Sequence, residues 1–302
     1  MKELKEIIKL EDKLFNYQGE DKIISSHELK EELDKTQSAV FSFKTGVPSI
    51  DRILQGVEAG ELIIVSGPPD GGKTTLLSSI TKNIAGEIKT AWFSLEVTQR
   101  QFIKRFGEPL PLFYLPAKNT ENNIQWLIER IIEAKVKYDV KMIFIDHLHQ
   151  IFSIDRFNGK NLSLELGDIV AKIKQIAIDY NLVIWLVAHS IDAKEGITRE
   201  PRMADVRDSG MIVRLADIVM GLWRIPNSYD GSENNITETA ESDTRAKVRI
   251  WKNRREGKHG YFLMQLEGKH LMELELREDE KKSTPQKRLE KFTKQFDDQK
   301  NF

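Results

Sequence analysis

Cysteine is absent from the 302 residues, which excludes disulfides and thiolate metal sites and fits a reducing compartment. An excess of either charge is absent too. The 46 Lys and Arg balance 47 Asp and Glu to a net −1, so no global field pulls the chain toward nucleic acid, and any such contact must come from local basic loops. Long apolar runs are lacking: the best, Leu182 to Ala188, falls far short of the ~20 residues a bilayer-spanning helix needs. The N-terminus, Met1-Lys2-Glu3-Leu4-Lys5-Glu6, has no apolar secretion core. The expectation is a cytoplasmic protein that does not contact a membrane. Hydrophobic residues at 40% and charged ones at 31% supply a real core together with solvated helical appendages.

Three parts are expected. Residues 1–43 are a charged helical extension, with Leu4, Ile7, Ile8, Leu14 and Phe15 giving a narrow apolar stripe. Within it, Ser25-Ser26-His27-Glu28 resembles a capping box opening a second short helix. Residues 44–276 alternate strand-like segments (61–66, 89–95, 141–146, 182–188, 216–223, 246–252, 261–266) with helical ones (73–85, 98–106, 121–137, 163–180). That alternation predicts an α/β fold with a mainly parallel sheet covered by helices. The Gly-rich link Gly257 to Gly260 predicts a C-terminal antiparallel hairpin. Asn227 to Ser242 reads as a mobile surface loop, and 277–302 as a charged tail.

The segment Gly67-Pro68-Pro69-Asp70-Gly71-Gly72-Lys73-Thr74 fits G-x-x-x-x-G-K-[ST] at every fixed position. It follows the apolar run Leu62 to Val65 and opens a segment, from Thr75, with Leu76, Leu77, Ile80 and Ile84 at helical spacing. This strand–loop–helix context marks a phosphate-binding loop. Its glycines let backbone N–H groups turn onto phosphate oxygens at the positive end of a helix. Gly67 through Thr75 would hold a nucleoside triphosphate, with Lys73 on the β- and γ-phosphates and Thr74 on Mg²⁺.

Further positions extend the site. Lys141 to Ile145 is an apolar run ending in Asp146, a Walker-B pattern whose acid holds Mg²⁺ through its water shell. Glu96 ends the strand Ala91 to Leu95. It reads either as the carboxylate polarising the attacking water or as a helix N-terminal Glu favoured by the dipole. His189, at the end of the run Leu182 to Ala188, reads either as a γ-phosphate sensor or as a structural histidine. His147 and His149 have the i, i+2 spacing of a metal pair on a strand, but their spacing offers no third ligand.

The segment Thr45 to Leu274 resembles the C-terminal motor domain of DnaB-type replicative helicases, within the RecA-like ATPases. The stretches carrying the likeness, in order, are Thr45-Gly46-Val47-Pro48-Ser49-Ile50-Asp51, the phosphate loop, Phe93-Ser94-Leu95-Glu96 and Ile145-Asp146-His147-Leu148. There follow Pro201-Arg202-Met203-Ala204-Asp205-Val206-Arg207-Asp208-Ser209-Gly210, Ala216-Asp217-Ile218-Val219, and Lys252-Asn253-Arg254 with Gly257. The resemblance implies a RecA-like P-loop core using ATP and Mg²⁺, with Glu96 as general base and Arg105 near the nucleotide. It implies that Arg254 is an arginine finger inserted into the neighbouring subunit's site, with Lys252 beside it on the γ-phosphate. Phosphoryl transfer needs positive charge on the equatorial oxygens, and a finger supplied in trans ties hydrolysis to subunit packing. Without the likeness, Lys252, Arg254 and Arg255 read as a solvated basic strand edge. Arg207, Asp208 and Gly210 correspond to the loop that contacts the single-stranded backbone without reading bases; their plain reading is a polar turn before a helix.

The chain also departs from the family. His189 stands where the family usually has Gln and phage and mitochondrial relatives have His, which points to a phage-like or mobile-element branch. Asp70 and Gly71 are unusual for bacterial DnaB. Little chain precedes Thr45, so the family's helical N-terminal domain is expected to be missing. The Leu4/Ile7/Ile8 stripe is then either a linker helix docking on the next subunit or a helix folding back on its own motor. Two functions follow. One is a hexameric 5′–3′ DNA helicase or single-strand translocase, with a primase or loader as possible partner. The other is a non-unwinding RecA-like ATPase: a regulatory switch, a loader, or a KaiC- or RadA-like protein.

Overall fold

The computed structural model describes residues 13–15, 17–19, 22–35, 42–119, 123–147, 162–190, 200–206, 209–225 and 244–274. The chain divides into two units, Met1–Phe41 and Ser42–Phe302. In the first, helix α1 (Ser26–Lys35) starts at the expected capping box. Ser25 N donates to Glu28 Oε2 at 2.7 Å, and Glu28 N donates to Ser25 Oγ at 3.2 Å. Of the predicted apolar stripe, Leu14 and Phe15 are helical; Leu4, Ile7 and Ile8 lie outside the described residues.

The second unit opens with a two-strand pair, β1 (Ser42–Phe43) and β2 (Val57–Glu58), around helix α2 (Pro48–Leu54). The sequence pattern missed all three because they are short. Asp51 builds this corner: its carboxylate accepts from Thr45 N (2.7 Å), Thr45 Oγ1 (2.8 Å) and Gly46 N (3.1 Å). Gly46 is needed at φ 71°, where a Cβ would also meet Asn83.

Eight strands form the main sheet. They are β3 (Leu62–Gly67), β4 (Thr90–Ser94), β5 (Met142–Asp146), β6 (Val183–His189), β7 (Ile218–Arg224), β8 (Arg245–Asn253), β9 (Gly260–Glu267) and β10 (His270–Glu273). Their order is β10-β9-β8-β7-β3-β6-β5-β4. The five strands from β7 to β4 run parallel, and β8, β9 and β10 continue the sheet antiparallel. The expected parallel sheet with a terminal hairpin is therefore present, extended by β10, which the sequence did not announce.

The parallel strands carry apolar residues on both faces because helices cover both. On one face, Ile63, Val65, Trp185 and Val187 pack under α2, α3 (Lys73–Ile84) and α4 (Gln99–Ile103). On the other, Leu62, Ile64, Ile184 and Leu186 pack under α5 (Ile124–Tyr138), α6 (Leu162–Asp179) and α7 (Ser209–Leu215). The predicted loop 227–242 and tail 277–302 lie outside the described residues.

Candidate active site

Strand register assembles the site. Parallel pairing sets Gly67 beside His189 and Ser94 beside Asp146. Leu95 N then donates to Asp146 O at 2.8 Å, so the next residue, Glu96, emerges next to the β5 end. All these residues leave the carboxyl ends of parallel strands, where open α/β sheets place their ligands.

The loop after β3 is shaped by close contact. A Cβ on Gly67 would lie 2.1 Å from the Leu222 carbonyl oxygen, and Gly72, capping α3, has φ 96°. Lys73 is buried, and its Nζ donates to the carbonyls of Gly67 (2.9 Å) and Pro68 (2.7 Å). Burial pushes its pKa down, opposed by the charges of Asp146, Glu96 and Asp70. Thr74 Oγ1 donates to Asp146 Oδ2 at 2.8 Å. Asp146 is 2% exposed, and burial pushes its pKa up against the Thr74 hydrogen bond. Burial that disfavours the charged form of both an amine and a carboxyl is characteristic of functional sites. A hydroxyl and a carboxylate in contact are the hard oxygen donors that suit Mg²⁺ bound alongside phosphates.

Glu96 is half-exposed and precedes the Thr98 N-cap of α4, outside the helix. It lines the same cavity as Lys73 and Asp146. His147 Nδ1 lies 3.5 Å from Glu96 Oε2, and the His147 ring meets the His189 ring edge-on, centroids 4.2 Å apart. Ligand atoms of Glu96, Asp146 and His147 lie within 4.8 Å of one another. His147 thus neighbours carboxylates across the sheet, while His149 lies outside the described residues.

A cavity of about 680 Å³ joins Asp70 through Thr75 to Glu96, Arg105, Asp146 and His189. Arg105 is placed by the α4 anchors. Thr98 and Gln101 form a capping box, and Phe102 and Phe106 are fully buried against Trp92. Burying each ring contributes roughly 1.5–3 kcal/mol. Other parts of the lining were not foreseen. Gln101, Lys104, Arg224, Leu266, Gly268 and Lys269 also line the cavity, and Lys269 Nζ donates to Lys104 O at 2.7 Å. Gly268-Lys269 reads as a turn in sequence, but nothing local says that the turn folds over the nucleotide side.

Lys252 and Arg254 lie elsewhere. Lys252 on antiparallel β8 and Arg254 just past its end fall level with the beginnings of β7 and β3, three to five residues short of Gly67, or ~10–17 Å back along the strands. Lys252 Nζ donates to the carbonyls at the end of α7: Val213 (2.7 Å), Arg214 (3.2 Å) and Ala216 (2.6 Å). Arg254 donates through NH1 to Asp217 Oδ1 (3.1 Å) and through NH2 to Arg214 O (2.8 Å). Neither lines the cavity of its own chain. Arg255 turns inward instead, to the Leu54 and Gly56 carbonyls and to Glu58 and Glu61. Its role is to fasten the β2 corner. Gly210 is exposed in the first turn of α7, and Arg207 and Asp208 lie outside the described residues.

Among the described residues, no helix is long and apolar enough to cross a membrane. Two solved structures share the fold. One is an isolated ATPase domain (TM-score 0.65, 19% identity, covering 82% of this chain and 98% of that one). The other is a DnaB-like replicative helicase described with its interactions with primase (TM-score 0.63, 18% identity, 90% and 71% covered). The chain is 27% identical over 251 residues to the replicative DNA helicase DnaB of Geobacillus stearothermophilus, covering 72% of this chain and 55% of that protein. It is 27% identical over 274 residues to a probable replicative DNA helicase of Trieres chinensis, covering 77% and 60%. The chain thus spans a little over half the length of these relatives. The model of the DnaB-like helicase C-terminal domain matches residues 42–108 and 113–272, and the chain belongs to that family.

Proposed function

We propose that this chain is the ATP-hydrolysing motor of a ring-forming, cytoplasmic 5′–3′ DNA helicase, translocating on single-stranded DNA. Residues 44–276 form the motor, flanked by a helical extension (1–43) and a charged tail (277–302). The observation that carries the reading is the separation of two halves of one chemistry. Lys73, Thr74, Glu96, Asp146 and His189 converge on one cavity, while Lys252 and Arg254 sit toward the other end of the strands and do not line it, which supports a role for them in a second copy's site.

In this reading Lys73 exchanges the Gly67 and Pro68 carbonyls for phosphate oxygens. Glu96 orients and deprotonates the attacking water, and His189 hydrogen-bonds the γ-phosphate. Arg105 and Lys269 add positive charge at the cavity wall. Thr74 and Asp146 would hold Mg²⁺, which supplies charge neutralisation on the phosphates when bound. Arg254 and Lys252 of one copy complete the site of the next, in a ring expected to be hexameric. Arg207, Asp208 and Gly210 contact the DNA backbone, and a primase or loader is the expected protein partner.

The test is ATP turnover with and without single-stranded DNA, with particle mass followed in the same samples, and then unwinding of forks bearing a 5′ or a 3′ tail. A ring-sized particle with DNA-stimulated turnover and 5′-tail unwinding supports the motor. A monomer whose turnover ignores DNA replaces it with a nucleotide switch.

A further inference from the structure

The geometry points to Asp217 as the positioning residue for Arg254, an inference that rests on the trans-acting role proposed above for Arg254. Asp217 occupies the step between α7 and β7 and is 8% exposed. Its Oδ2 accepts from Leu62 N at 2.8 Å and from Lys174 Nζ at 2.5 Å, and Lys174 also donates to Gly60 O at 2.6 Å. Two donors on Oδ2 fix the carboxylate plane and leave Oδ1 aimed at Arg254. The pair is also tied through the main chain, since Arg254 N donates to Asp217 O at 2.9 Å. Arg214 O then takes the second guanidinium nitrogen, so the planar fork is held at two points.

The relationship is asymmetric. Asp217 is buried and already paired by Lys174 and Leu62 N, so the fold does not depend on Arg254 to satisfy it. The Arg254 side chain is 52% exposed, and an ion pair that open to solvent adds only about 0–1 kcal/mol of stability. What the pair supplies is orientation. A long side chain that must meet a neighbour's phosphate is already held at two points of its guanidinium, and its ordering cost is met before nucleotide arrives.

The experiment is a double-mutant cycle on ATP turnover by the assembled full chain, using Asp217→Asn, Arg254→Ala and the pair. Binding of a non-hydrolysable ATP analogue and thermal unfolding are followed in parallel. Asp217→Asn is expected to lower kcat roughly ten- to hundredfold, with analogue affinity and KM within about twofold of the parent. In the Arg254→Ala background the same change is expected to do nothing further, since the group it positions is gone. Equal losses in both backgrounds, or no loss in either, overturn the positioning role. Normal turnover by Arg254→Ala alone removes the trans role and the positioning role together. Asp217→Glu, which keeps the charge and displaces it by one methylene, carries the same cycle should Asp217→Asn not fold.

Discussion

Gly67 and His189 are partners across parallel strands β3 and β6, and Ser190 N donates to the Gly67 carbonyl at 3.2 Å. The backbone thereby delivers the His189 ring to the first residue of the phosphate loop. In the proposed mechanism this position supplies a hydrogen-bond donor to the γ-phosphate. His189→Gln is expected to keep turnover within a few-fold, whereas His189→Ala loses on the order of 10²-fold in kcat, the scale of one lost transition-state donor. Steady-state ATPase kinetics of the two variants check it.

Glu96 carries the next prediction. Glu96→Gln preserves shape and hydrogen bonding but cannot accept a proton, so ATP affinity should persist while kcat falls by roughly 10²–10⁴-fold. Equilibrium binding of labelled ATP beside turnover separates the two. Loss of affinity equal to the loss of rate would assign Glu96 to binding alone.

Complementation tests whether Arg254 acts on another copy's site. Arg254→Ala subunits keep an intact cavity, and Lys73→Ala subunits keep an intact finger. Each preparation alone should be nearly inactive, and mixtures should recover part of the parent rate. Mixtures no more active than their parts would place Arg254 outside the neighbour's chemistry.

A pH effect follows from His270. Its Nε2 lies 2.9 Å from Lys82 Nζ, and burial, then the positive charges of Lys82 and Lys269, hold its pKa below 6.5. The folded chain therefore binds fewer protons here than the unfolded chain as pH falls through 6.5 toward the folded value. Stability is lost over that window and regained above it. Thermal unfolding at pH 5.5 and 7.5 should show a difference that His270→Gln, still able to accept from Lys82, reduces.

The Asp51 corner should be costly to break. Asp51→Ala removes the acceptor from three donors, two of them on the fully buried Thr45. A loss of about 2–3 kcal/mol is expected in denaturant unfolding. Under 0.5 kcal/mol would mean that water replaces the carboxylate.

The sequence made the seven longer strands legible within one or two residues: the five parallel ones, buried on both faces, read as unbroken apolar runs, and β8 and β9 as strand-like segments flanking a Gly-rich link. It also made legible the residues that end those strands, Asp146, Glu96 and His189, since position at a strand's carboxyl end is itself the signal. Pieces whose placement is tertiary stayed hidden. β10 is the short, mixed segment His270–Glu273, and it becomes a strand only because β9 presents a partner. Lys269 and Arg224 reach the cavity from segments separated from Lys73 by more than a hundred residues, with no motif of their own. Arg255 read, apart from the family likeness, as part of the same solvated basic edge as Arg254, and its inward hydrogen bonds overturn that reading.

Helix α7 gives those two neighbours their mechanical meaning. Seven residues at 1.5 Å each make a rod about 10 Å long, shorter than any length over which a helix bends appreciably. Gly210 is at one end, and at the other are the carbonyls that grip Lys252 and Arg254. In the proposed motor a DNA strand would meet one end of this rod and the groups meant for the next copy would hang from the other. Seven residues would then be all that separates pulling on DNA from completing a neighbour's chemistry.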